Sequence, residues 1–227
     1  MEKPLPKKPL IVFDANETLL DLETVTPVFE RIFGEKIAMR LWFDNLIMYS
    51  EALTLAGQYV PFTDIGAAAL KMLADVRGIE ITDADKAELT ERFSTMPPYP
   101  EVPGALHALR EAGFRLFTLT DNLIEVQGRQ LAHGKIIDLF ERRFSADEVK
   151  RHKPAPETYA HVGKELGVPP SDLFMIACHT WDTLGAKAAG WGAALIKRPN
   201  NDVLGVGPQP DIVGNSLTEI AAHLTRR

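Results

Sequence analysis

Short runs of consecutive apolar residues recur along the chain. They are Pro9-Leu-Ile-Val-Phe-Asp14, Arg115-Leu-Phe-Thr-Leu-Thr-Asp121, Leu173-Phe-Met-Ile-Ala177 and Gly192-Ala-Ala-Leu-Ile196. Runs of this length, apolar on both faces, suit central strands of a parallel sheet covered by helices on each side. Asp211-Ile-Val213 reads as a short edge strand. Between the runs the apolar spacing becomes helical. Val102 to Ala112 stops at Gly113, Ala155 to Leu166 at Gly167, and Trp181 to Ala189 at Gly190. A glycine just past the last helical residue is a stop signal, because it adopts the left-handed backbone that closes a helix. Strands alternating with helices of about 10–15 residues predict a doubly wound α/β fold with a Rossmann-like parallel sheet.

Residues 22–96 break the rhythm. They hold no good strand and are rich in helix formers, predicting helices at Val28–Phe33, Ile37–Ala56, Asp64–Val76 and Ala84–Phe93. Met96-Pro-Pro-Tyr-Pro100 then brings the chain back through a stiff, extended segment. The expected organisation is an α/β core of residues 1–21 and 97–227 with a helical insert of residues 22–96. An insert after the first strand is expected to lie over the carboxyl ends of the strands, where open α/β sheets bind ligands.

Composition narrows the partners. The 227 residues are 45% apolar and 25% charged, with 25 Lys+Arg against 31 Asp+Glu and a net charge of -6. A nucleic-acid surface normally needs a basic excess, so no nucleic-acid partner is expected. No run approaches the ~20 apolar residues that span a bilayer, so no membrane partner is expected. The Lys- and Pro-rich stretch Met1 to Pro9 precedes an apolar run too short for a signal peptide. One cysteine, Cys178, can close no internal disulfide, which fits a cytoplasmic setting.

The strand and loop ends carry polar strings: Asp14-Ala-Asn-Glu-Thr18, Thr120-Asp121-Asn122, Lys153-Pro154, and Ala177-Cys-His179-Thr-Trp181-Asp182. In this order they resemble the haloacid dehalogenase-like hydrolases. That superfamily has an Asp nucleophile in D-x-x-x-T, a Ser/Thr after a second strand, a Lys before Pro, and an acidic fourth motif. The resemblance covers essentially the whole chain, helical cap included.

It implies a role for each residue, and each has a plainer alternative. Asp14 would be the nucleophile, a weak one that forms an ester water can cleave; otherwise it is a turn residue. Thr18 would hold that carboxylate, or cap the following segment. Lys153 would keep Asp14 ionised by charge pairing, or be one more cation beside Lys150 and Arg151. Thr120, with the backbone N–H groups near Asp121 and Asn122, would bind an anionic group or hold Asp14; the alternative is a strand-end cap. Asp182 would orient water or Lys153, or simply complement a helix dipole.

Two departures choose a branch. Phosphatases of the superfamily place a second Asp two residues after the nucleophile, as a general acid. Here that residue is Asn16, whose amide supplies no proton. Their Mg²⁺-binding fourth motif is replaced by Ala177 and Cys178, and a thiol is a poor donor for a hard cation. A halide leaves as an anion and needs neither acid nor metal. The strings Phe13-Asp-Ala-Asn-Glu-Thr-Leu19, Pro100-Glu-Val-Pro103, Tyr159 and Trp181-Asp-x-x-Gly185-Ala resemble the type II L-2-haloacid dehalogenases most. That resemblance implies metal- and cofactor-free hydrolysis of a small 2-haloacid through an aspartyl ester, with Tyr159 at the active site.

Other positions differ from that pattern. Asn16 stands where an aromatic is usual, Glu17 where Gly is usual, and Thr120-Asp121-Asn122 where Ser-Asn-Gly is usual. Ala177-Cys178-His179 replaces Ser-Ser-Asn. The cap Arg that clamps halide follows a Leu-Trp pair; here Phe43 follows Leu41-Trp42, and Arg40 is the candidate substitute on a neighbouring helix position. Trp42, Phe43, Tyr49 and Trp181 are candidate pocket aromatics, or core residues. His179 is a candidate general base, tuned by Asp14 and Asp182, or a hydrogen-bond donor to Asp14. The competing readings are a Mg²⁺-dependent phosphatase and a retired, carboxylate-binding site. The aromatic-rich stretch from Trp42 to Tyr59 could supply a homodimer face.

Overall fold

A computed structural model describes residues 8–226. The first seven residues of the Lys- and Pro-rich start lie outside the described residues. Six parallel strands form one sheet: β1 (Leu10–Phe13), β2 (Leu116–Thr120), β3 (Arg142–Ser145), β4 (Leu173–Ala177), β5 (Gly192–Ile196) and β6 (Ile212–Gly214), in the order β3-β2-β1-β4-β5-β6. β1, β2 and β4 are buried throughout, which explains their uninterrupted apolar runs. The strand order reverses between β1 and β4, whose register pairs Phe13 with Ile176. Such a switch point opens a crevice beyond the strands' carboxyl ends. Asp14 leaves β1 and Cys178 leaves β4 at that point.

The α/β expectation holds, and the structure adds an element the apolar pattern did not predict. β3 reads Arg-Arg-Phe-Ser; as the edge of the sheet it needs only half its residues buried, so it shows no continuous apolar run. The core helices are α5 (Val102–Glu111), α6 (Ile124–His133), α7 (Pro156–Leu166), α8 (Thr180–Ala188) and α9 (Leu217–Thr225). For α6 and α9 the apolar pattern set no bounds, although His133 and His223 fall on helical stretches. α6 carries Gly128 and buries Gln127 and Gln130 beside its apolar residues, which blurs its helical stripe. α7 closes at Gly167 in the left-handed conformation, φ 66°, as its stop signal predicts.

Between β1 and α5 lie α1 (Thr26–Phe33), α2 (Ile37–Leu55), α3 (Phe62–Arg77) and α4 (Asp83–Ser94). This stretch contributes no strand to the sheet. Where it leaves and rejoins, Asp21 N–H donates to Pro97 O (2.8 Å) and Tyr99 N–H to Leu19 O (2.9 Å), so the two crossings are pinned together. Its own core gathers Phe29, Trp42, Leu46, Phe62 and Leu70, continuous with the buried residues on one face of the sheet. A second tie reaches the loop before Lys153. The Thr54 hydroxyl accepts the His152 N–H, and the Thr54 carbonyl accepts from Arg151.

Candidate active site

Asp14 sits at the end of β1, 4% exposed. Every interaction of its carboxylate is charged or oriented. Lys153 Nζ donates to Oδ1 (2.9 Å), the Thr18 hydroxyl donates to Oδ2 (2.7 Å), and His179 Nδ1 lies 3.2 Å from Oδ2. Thr18 in turn accepts the Cys178 N–H (2.9 Å), which ties the turn after β1 to the end of β4. Burial pushes the Asp14 carboxyl up, but the Lys153 and His179 charges and the Thr18 hydroxyl outweigh it and hold the group below the usual carboxylate range.

Lys153 is buried, and its ammonium bridges Asp14 and Asp182 Oδ2 (2.7 Å) while donating to Leu119 O (3.2 Å). Burial opposes its charge, yet the two aspartates raise its pKa above the ordinary lysine value. A buried ammonium persists only when paired in this way. Asp182, on α8, also accepts the Tyr159 hydroxyl through Oδ1 (2.7 Å). Tyr159 lies fully buried on α7, beneath the site, against Trp191. Gly185, on α8, faces the Tyr159 ring so closely that a Cβ there would collide with it.

The other side of Asp14 centres on His179. Its Nε2 lies 2.9 Å from Glu17 Oε2. Its ring stacks on Trp181 (centroids 4.9 Å apart) and packs against Phe43 of α2 (5.9 Å). Of the two partners foreseen from sequence, Asp14 faces the ring, joined by Glu17, whereas Asp182 is engaged with Lys153 and Tyr159. Burial disfavours a charged ring, but Cys178 and the two carboxylates raise its pKa well above 6.5. Burial also pushes Glu17 up, and its bonds to His179 and Arg40 bring it down to about 2.

Glu17 is the residue sequence reasoning placed in no role. Its signal was there: a carboxylate three residues after Asp14, where a glycine is usual. Its backbone is left-handed, φ 62°, a conformation glycine adopts without cost. That turn carries the side chain back toward the end of β4.

The haloacid dehalogenase-like hydrolase family matches residues 8–190. This chain belongs to that family. It is similar to (S)-2-haloacid dehalogenase 1 of Pseudomonas sp. (strain CBS-3), 32% identical over 193 residues covering 83% of this chain and 84% of the relative. It is similar also to haloacetate dehalogenase H-2 of Moraxella sp. (strain B), 29% identical over 204 residues covering 88% and 91%. Among solved structures, a dehalogenase with an intermediate complex superposes with a TM-score of 0.90 at 26% identity, covering 98% of this chain and all of that one.

The Arg40 guanidinium is paired with Glu17 and lies 3.6 Å from Glu23, stacked near the Phe43 ring, so its charge is already matched. Thr120 Oγ1 accepts the Asn122 N–H (3.2 Å), and Asp121 Oδ1 accepts the Lys153 N–H (2.9 Å). These two side chains brace the loops. The Asn122 amide is buried with both its oxygen and its nitrogen unpartnered. It borders an apolar cavity of about 180 Å³ with Trp42, Leu46, Phe62, Phe93 and Val126. Asn16 is held by Gln130 of α6 (3.2 Å). Trp42 donates its indole N–H to Gly66 O, and Tyr49 is partly exposed beside Leu53 and Val60.

A metal would find a mixed donor set. Asp14, Cys178 and His179 bring one donor atom each within 4.8 Å of one another. Mg²⁺ asks for a shell of hard oxygens. One carboxylate oxygen, a thiol and an imidazole, with the Lys153 ammonium on the same carboxylate, do not fit it. Among the described residues no helix is long and apolar enough to cross a membrane.

Proposed function

We propose that the protein is a metal-independent dehalogenase that hydrolyses a small 2-haloalkanoic acid to the 2-hydroxy acid. The observation that carries this reading is the buried, charge-matched Asp14 at the switch point. A carboxylate held ionised by Lys153 and oriented by Thr18, with the amide of Asn16 where a phosphatase places its general acid, suits displacement of an anion. An Asp14 oxygen attacks C2; the C–O bond forms as the carbon–halogen bond breaks, and the halide leaves with the electron pair, inverting C2. Water then adds to the Asp14 carboxyl carbon, the acyl C–O bond breaks, and the 2-hydroxy acid departs. Asp14 is restored with one oxygen from water, and one proton is released with each halide.

Lys153, fixed by Asp182 and Tyr159, balances the Asp14 charge before attack. The Asn122 amide and the backbone of the Thr120–Asn122 loop supply donors for the substrate carboxylate. Asn16, Phe43 and Trp181 line the approach, and Arg40 acts through Glu17 in place of a free halide clamp. Residues 22–96 serve as a cap over the core of residues 1–21 and 97–227. Ile37, Leu41, Met48 and Leu55 are exposed along α2 at near-heptad spacing, which supports a homodimer built on that helix. The lone buried Cys178 is in keeping with work in the cytoplasm.

The test is halide release from 2-chloropropanoate and haloacetates in the presence of chelator, for the intact chain and Asp14→Asn. Release by the intact chain and none by the variant is expected. Equal release by both overturns the nucleophile. Magnesium-stimulated phosphate release from small esters instead would make it a phosphatase. Carboxylate binding with neither product would make it a retired site.

A further inference from the structure

We propose that His179 and Glu17 form a water-activating pair that the covalent intermediate itself switches on, with His179 as the base and Glu17 as its positioning residue. This rests on Asp14 being the nucleophile. Three observations carry it. First, the two ring nitrogens face different partners: Nδ1 faces the reacting carboxylate at 3.2 Å and Nε2 faces Glu17 at 2.9 Å. A carboxylate on one nitrogen fixes the tautomer and leaves the other free to exchange a proton. Second, the ring stacks on Trp181 and packs against Phe43, contacts that restrain its rotation away from Asp14. Third, the competing bases are committed. The Lys153 amine is held charged by two aspartates, and both Asp182 oxygens are occupied by Lys153 and Tyr159.

The switch follows from charge. In the free enzyme the ring faces Asp14 from β1 and Glu17 from the following turn. Cys178 adjoins it at the end of β4, and Lys153 and Asp182 lie beyond Asp14. From α2, Arg40 pairs with Glu17 and Asp44 adds a more distant negative charge. Two facing carboxylates keep the imidazole protonated. Esterification turns Asp14 into a neutral ester and removes one of them. The imidazolium then gives up its Nδ1 proton, which leaves with the halide as the one net proton of the reaction. The neutral ring takes a proton from water as the oxygen adds to the Asp14 carboxyl carbon, and the original state returns. Arg40 keeps Glu17 anionic throughout, so that the carboxylate orients the ring without itself competing for the proton.

The experiment uses the full chain with 2-chloropropanoate, or with whichever haloacetate it turns over. Glu17→Gln is followed by rapid-quench halide release and by intact-protein mass. Expected is a first halide equivalent released at nearly the wild-type rate, followed by a steady state slowed about 10- to 100-fold. An ester on Asp14 accumulates, seen as the added mass of the acid. Full turnover by Glu17→Gln, or equal slowing of both phases with no trapped ester, overturns the pair. Should that variant not fold, ester decay in the wild type is measured against pH in single turnovers. The decay is expected to slow as pH falls through one ionisation, and a flat profile overturns the proposal. A wild type that forms no Asp14 ester from any haloacid overturns the dehalogenase reading and this one with it. A wild type that forms the ester but hydrolyses it without pH dependence overturns the pair alone.

Discussion

Asp14 has two flanks, and they are built on different principles. On one side Lys153, Asp182 and Tyr159 form a closed chain of buried hydrogen bonds drawn entirely from the core. Each group has its partner: burial pushes the Asp182 carboxyl up, and the Lys153 ammonium shared with Asp14 opposes it. On the other side His179, Glu17 and Arg40 run outward to α2 of the helical insert, through a side chain whose ordinary pKa is near neutrality. The first flank sets a fixed charge; the second can change its charge during a reaction. On the proposed reading the two cations beside one carboxylate are not redundant: the lysine would hold Asp14 ionised, and the histidine would respond to its esterification.

The most severe way to break the comparison is to remove what both flanks serve. Asp14→Asn should lower halide release by about 10⁴-fold or more, the scale seen when a covalent nucleophile is lost. Lys153→Met tests the fixed flank. It leaves two buried carboxylates without their shared cation, so urea denaturation should show a loss of about 3–5 kcal/mol together with loss of activity. A smaller structural blow is Gly185→Ala, which drives a methyl group into Tyr159. Overpacking of this kind costs about 1–3 kcal/mol, read from the same denaturation curves. Tyr159→Phe removes only the hydroxyl on Asp182 and should cost about 1–2 kcal/mol while leaving the fold intact.

Stability against pH sharpens the contrast. Asp14 and Glu17 are depressed from 3.8 and 4.5. Their contribution is fully present above those unfolded values and is lost as pH falls through the lower folded ones. His179 is raised from 6.5, so its contribution is complete below 6.5 and is lost as pH rises through the folded value. From these groups, melting temperature should be highest between about pH 4.5 and 6.5. His179→Asn should flatten the alkaline decline. A wild-type curve with no decline above 6.5 would contradict the charged ring.

Much of this is legible in the sequence. The central strands announce themselves because both their faces are buried, and the helix ends because Gly113, Gly167 and Gly190 mark them. β3 was hidden because an edge strand with Arg142 and Arg143 on partly exposed faces has no reason to be apolar. Asp14, Thr18, Lys153 and Asp182 were legible as motif residues, and they meet as a connected set. Of the two partners foreseen for His179, Asp14 meets the ring and Asp182 does not. Asp182 is three residues away in sequence, but it points to Lys153 on the fixed flank. Glu17, 162 positions away, reaches the ring because its turn is left-handed. Arg40 was foreseen near the site, but its pairing with Glu17 could not be read from helix spacing.

The chain's own pattern of apolar runs, glycine stops and polar strand ends determined the α/β class, the helical interruption and the charged residues at the strand ends. These are local consequences of burial and backbone preference, written within a few residues of each position. Which cation meets which carboxylate was decided only by the fold. Hydrogen bonds between groups more than a hundred residues apart depend on strand order and on one turn's handedness, and no local spacing encodes either.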